Sequence, residues 1–153
     1  MRSLERVDEV GKQNYLKLFG FAFVVWLVPF LISFLFYTPQ GVLVTSEAFF
    51  HSVMTVTGFI VAAVLLLNYL NDFTVNYLKE SIKVGLVWLA VSLFLDLLIL
   101  VPMAKMDLVS YFLNIGFGYL VIPMMSIFAG YLLEQKMEHN KKIFSQVFST
   151  KKD

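Results

Sequence analysis

The chain has 153 residues, of which 59% are hydrophobic and 16% aromatic, and only 15% carry charge. Soluble domains sit nearer about 45–50% apolar, so the composition reads as a membrane protein. A formal net charge of +1 gives no field to attract nucleic acid, and the absence of cysteine removes disulfide, iron–sulfur and thiolate–zinc chemistry.

Residues 1–14 form a polar arm on the cytoplasmic side, with Leu4, Val7 and Val10 as its apolar edge. Four continuous apolar runs follow, at about 18–37, 48–69, 82–103 and 110–133. Each is long enough to cross a bilayer as a helix, which takes about 20 residues. None alternates with period two, and a backbone in lipid must satisfy its own hydrogen bonds, so helices are predicted rather than strands. The first run exceeds a signal-peptide core and no small-x-small cleavage site follows it. Ser46 and Glu47 suit the start of the second helix, and Asp107 that of the fourth. From Glu134 onward the text turns basic. Met137, Phe144, Val147 and Phe148 share one helical face with Lys136, Lys141 and Lys142 around the other, which predicts an extension of the fourth helix bending along an anionic lipid surface.

The predicted fold is therefore all-α: an integral membrane, up-down-up-down four-helix bundle over 15–136, with the arm 1–14 and a basic amphipathic tail at 137–153. Eleven of the twelve Lys and Arg residues fall on the side of the termini, and only Lys105 on the other. That bias predicts both termini in the cytoplasm, in a multi-pass protein of the cell membrane.

Asn-Tyr-Leu-Lys occurs at Asn14–Lys17 and again at Asn76–Lys79, and Val-Trp-Leu follows each copy at the same distance. Over the two windows seven of fourteen positions are identical. Tyr69, Leu70 and Asp72 are echoed by Tyr131, Leu132 and Glu134, again 62 apart. The pattern predicts a duplicated two-helix hairpin with a pseudo-twofold axis along the membrane normal, Tyr15 and Tyr77 at headgroup level, and antiparallel neighbours.

Each span gathers its small and polar residues on one face: Ala22, Trp26, Pro29, Ser33 and Tyr37 in the first; His51, Thr55, Gly58 and Ala62 in the second; Gly85, Trp88, Ser92 and Asp96 in the third; Gly116, Tyr119, Pro123, Ser126 and Gly130 in the fourth. Inward packing is the first reading, and homodimerisation its rival. Trp26 is too deep for the aromatic belt, so its indole N–H needs a partner inside the bundle, as does that of Trp88. Pro29 and Pro123 each remove a backbone donor, which kinks a helix or frees a carbonyl for a cation or water.

Asp96 is the only acidic residue well inside a span, where insertion costs about 2.5–3.5 kcal/mol. Its predicted partners lie in the outer half of the bundle: His51, Thr55, Ser33, Tyr37 and Asn114. Two roles follow, a proton or cation site and an interhelical hydrogen-bond anchor. No paired-histidine spacing supports a metal site and no cofactor motif is present. No hydrolase, nucleotide-binding or kinase motif is present either, so an enzyme is not expected. The expected class is a transporter or channel-like component with a proton, cation or small-solute site. The alternatives are an accessory subunit of a membrane complex and a membrane sensor. Expected partners are the bilayer, anionic lipid at the cytoplasmic face, and a second copy or another membrane protein.

The run Leu-Asp-Leu-Leu-Ile-Leu-Val-Pro-Met at Leu95–Met103, together with Asn-Tyr-Leu-Lys, resembles small four-span membrane proteins of bacteria and archaea that carry no assigned function. The resemblance implies a four-helix topology in a prokaryotic cytoplasmic membrane.

Overall fold

A computed structural model describes the backbone of residues 2–71 and 76–150, and the side chains of 15–71, 76–144 and 146. The described chain is helical: α1 (Arg2–Ser33), a 3₁₀ turn (Phe34–Phe36), α2 (Glu47–Leu70), α3 (Tyr77–Leu95), a π turn (Asp96–Leu100), α4 (Val101–Ala104), α5 (Leu108–Asn114), a second 3₁₀ segment (Gly116–Leu120) and α6 (Val121–Thr150). Four stretches are long and apolar enough to cross a membrane: Tyr15–Phe36, Glu47–Leu70, Tyr77–Ala104 and Gly116–Phe144. The chain is thus an all-α, multi-pass membrane protein.

The arm and the tail continue the first and last helices. α1 already runs from Arg2, and α6 continues unbroken to Thr150. The apolar edge of the arm, and Val147 and Phe148 of the tail, lie outside the described side chains, and Asp72 outside the described residues. Ser46 caps α2 through the Phe49 amide, and Glu47 opens the helix.

Two antiparallel hairpins make the bundle. In the first, the Lys17 ammonium reaches the Asn68 carbonyl at one end, and Phe36 meets Phe50 at the other. In the second, α3 lies closely along α6. The Ser126 hydroxyl donates to the Ser81 carbonyl at 2.6 Å, and the Leu78 amide donates to the Glu134 carboxyl at 3.1 Å. Glu134 thereby answers an orphan amide at the positive end of α3 from a neighbouring helix. The hairpins join through α1 and α3, which run parallel, while the consecutive spans α2 and α3 touch only slightly. The sequence alternates direction as predicted, yet not all spatial neighbours are antiparallel.

The contacts between α1 and α3 set their register. The Trp26 indole N–H donates to Asp96 Oδ1 at 2.7 Å, and the Trp88 indole N–H to the Leu18 carbonyl at 3.0 Å, both across 70 residues. The Lys83 ammonium lies over the Tyr15 ring. The repeated text, however, is spaced by 62. The two copies therefore stand at different depths, by about 9–12 Å at 1.5 Å per residue. Tyr15 shares its level with Lys83 rather than with Tyr77 and Lys79. A twofold axis along the normal without translation does not relate these helices, because the two indole bonds hold them slid past each other.

The stripes face inward along the third and fourth spans and only in part along the first two. Ala22, Trp26, Ala62, Gly85, Trp88, Ser92, Asp96, Gly116, Pro123, Ser126 and Gly130 are buried, Pro29, Ser33, His51, Gly58 and Tyr119 are half-buried, and Tyr37 and Thr55 are exposed. Close approach of α3 and α6 depends on glycine. A Cβ at Gly85 would lie 2.7 Å from Pro123 Cα, and one at Gly130 would lie 3.0 Å from the Tyr77 carbonyl oxygen and nearer still to Ser81. Gly20 has nothing within 4 Å of such an atom. Gly85→Ala should accordingly cost about 1–3 kcal/mol through overpacking against backbone, while Gly20→Ala is neutral or slightly stabilising. Thermal unfolding in mild detergent checks the pair, and an equal response at the two sites would contradict the close α3–α6 contact.

Candidate functional site

Asp96 is 1% exposed. Through Trp26 it is level with the middle of the first span, Tyr15–Phe36. Oδ1 accepts from the Trp26 indole, and Oδ2 accepts from the Tyr111 hydroxyl at 2.9 Å. The Tyr119 phenol stands close to the same carboxyl. The acid is thus held by α1 and by α5, with the 3₁₀ segment that leads into α6 beside it. No cationic side chain pairs with it among the described residues. A buried carboxyl without such donors would be strongly unfavourable, and donors of this kind make its charge-assisted hydrogen bonds possible.

Both helices that meet at the carboxyl are interrupted there. Pro102 has no N–H for the Leu98 carbonyl. Just before it the chain takes a π turn in which the Val101 amide bonds to Asp96 O, five residues back. Across from it the predicted fourth span, 110–133, is not one helix. α5 stops at Asn114, Ile115 takes φ −126° and ψ −54°, and Gly116–Leu120 is 3₁₀ before α6 begins. Gly116 is required at this break, since a Cβ there would lie 2.7 Å from the Phe112 ring. The interruption lets one strand of chain present both Tyr111 and Tyr119 to the acid. One turn inward on α3, Ser92 is fully buried, and its hydroxyl has no partner among the described residues.

The predicted partners of Asp96 are placed otherwise. Ser33 donates its hydroxyl to the Phe30 carbonyl in its own helix. Tyr37 is 42% exposed, bridges to Leu43 and packs its ring on Phe50. His51, Thr55 and Asn114 do come together, but in a separate cleft of about 120 Å³ between α2 and the fourth span, with Val25 and Pro29 as its floor. Tyr119 also lines this cleft. It is therefore the link between the two places, lining the cleft and standing close to Asp96. The large indole and phenol donors outcompeted the shorter groups because they can reach the bundle axis from neighbouring helices. Trp26 and Tyr119 stand on the predicted inward stripes. Tyr111, eight residues before Tyr119, and Pro102, six after Asp96, were the overlooked signals. Among the described residues no group of three or more His, Cys, Asp or Glu could hold a metal ion.

Asp107 accepts from the Val109 and Ser110 amides at 3.1 Å and so caps α5, the helix that carries Tyr111. The Ser110 hydroxyl, then its amide, hold this exposed carboxyl below its ordinary 3.8. A depressed carboxylate contributes stability above its unfolded-state pKa and loses it as pH falls through the folded-state value. The chain matches no family model, no curated protein and no solved structure.

Removing one donor from Asp96 leaves a buried acceptor short. Trp26→Phe should lower stability by about 1–3 kcal/mol in detergent unfolding, with Tyr111→Phe in the same range. If neither variant changes stability, these bonds do not hold the bundle. For the Asp107 cap, hydrogen exchange at the Val109 amide should speed up only below the ordinary carboxylate range in the parent chain, and at neutral pH in Asp107→Ala.

Proposed function

We propose that this protein is a small transporter or channel-like component of the cell membrane, with both termini cytoplasmic, in which Asp96 exchanges a proton linked to the passage of a small solute. The observation that carries the reading is where the two helix interruptions fall. The π turn begins at Asp96 itself, and the opposing 3₁₀ segment carries Tyr119. An anchor needs only donors. A site that must switch needs backbone able to take more than one register, and interrupted helices flanking a mid-membrane charge are how solute and ion sites are built in lipid. The chemistry is simple. The ionised carboxyl uses both donors, whereas the protonated one has a hydrogen to give and can turn it toward the nearby Tyr119, which lines the cleft. A proton on Asp96 is thereby felt at the wall of the cleft.

The orientation rests on the eleven basic residues on the side of the termini. The chain contains no cysteine, so single cysteines placed at Gln40 and Gln135 give a clean accessibility test, with Gln40 labelled from outside.

A second reading has its own support. The two donors, Trp26 and Tyr111, occupy both oxygens of Asp96, as an interhelical anchor would. The carboxamide variant separates the two. In proteoliposomes the parent chain should show solute-dependent proton movement. Asp96→Asn should abolish it while the protein still elutes as the same folded species. Collapse of the folded species in Asp96→Asn, or proton movement that persists in it, would defeat the transport reading.

A further inference from the structure

We propose that the cleft between α2 and the fourth span binds a small neutral molecule with an apolar body and one hydrogen-bonding group, which arrives from within the bilayer. This deepens the transport reading and rests on it for its link to Asp96, but not for the binding itself.

Size comes first. The cleft holds about 120 Å³, and apolar protein cavities of about 150 Å³ take a benzene-sized guest. A six-membered ring or a short branched chain is the upper limit. Charge comes next. No Asp, Glu, Lys or Arg lines the cleft, so an ionic guest would give up its hydration with nothing of opposite sign to replace it. Neutral guests are what remain. The distribution of polarity then sets the pose. Val25, Ala62 and Ile122 form a buried apolar floor, whereas Thr55 and Asn114 stand exposed at the mouth beside His51. The guest's single hydroxyl or amide therefore has its partners at the mouth, in Thr55, Asn114 and His51.

The route of arrival follows from exposure. Phe59, Gly118 and Val121, which border the mouth, face the outside of the bundle within apolar spans. A molecule of this class partitions into hydrocarbon and reaches the mouth sideways, without crossing water. Once seated it touches Tyr119, which stands close to Asp96.

Gly58 is the position at which to test this. It lies on the cleft wall, and a Cβ there would meet only Pro29 Cγ, at 3.7 Å, an ordinary contact. A larger side chain fills the space without approaching Asp96. The probe is cyclohexanol, titrated into the protein in lipid nanodiscs with 3-fluorotyrosine at position 119 as a fluorine NMR reporter. The parent chain should give a saturable shift. Gly58→Ala should weaken binding about three- to fourfold, the worth of one methylene, and Gly58→Leu should remove saturation. If the leucine variant does not fold, the alanine variant still decides. A linear response of equal slope in the parent and in Gly58→Ala, which acyl chains filling the cleft would produce, overturns the site. No gradient or flux enters this readout, so its failure is separate from failure of the proton-exchange reading.

Discussion

Hydrocarbon offers no hydrogen-bond partner, so a polar group within a span is costly unless another part of the same chain answers it. In this protein that constraint is concentrated on a single carboxyl. Asp96 draws an indole from α1 and a phenol from α5, with the Tyr119 phenol close by, and so ties both hairpins together at mid-depth. The same rule repeats elsewhere. The Trp88 indole finds the Leu18 carbonyl, Ser126 finds the Ser81 carbonyl, and Glu134 finds an amide at the start of α3. Apolar packing of the spans sets only that helices associate, since lipid tails compete with it nearly as well. The polar pairs, with the glycines that admit close approach, set how far each helix slides along the next.

The irregular backbone has the same origin. Pro102 would leave the Leu98 carbonyl crowded and unpaired in a regular helix, and the π turn relieves this one turn earlier, at the acid. Ile115 and Gly116 break the opposing helix so that two tyrosines eight residues apart can converge on one point. Neither interruption lies at a helix end facing water, where it would cost little. Both lie where a buried carboxyl has to be accommodated, and there the loss of regular bonds is offset by the donors gained.

Much of this was legible in the sequence. Four apolar runs, the inward stripes of the third and fourth spans, the caps at Ser46 and Asp107 and the need of each deep tryptophan for a partner all follow from composition and spacing, and the structure has them. The identity of the partners did not follow. Depth counted along one helix ranked His51, Asn114 and the hydroxyls of Thr55, Ser33 and Tyr37 as neighbours of Asp96. It said nothing of azimuth between helices or of their sliding. The long aromatic donors won because of reach. The continuous reading of 110–133 failed for a related reason: its hydropathy is uniform across Ile115, while the break is a matter of backbone angles and of Phe112 occupying the space beside Gly116. Spacing of the repeated words likewise suggested equal depth, and only contacts between α1 and α3 could correct it.

That sliding has a consequence for the shape of one side of the molecule. α2 ends at Leu70, close to the level of Tyr15, whereas α3 begins at Tyr77, six residues before the lysine that shares that level, and α1 and α6 run on past it as helix. The surface is terraced: three helical stubs of unequal height stand around a low step above the second span. The start of α3 stands about 9 Å beyond the end of α2 on this side, so whatever meets this side of the protein meets a notch with walls rather than a flat floor.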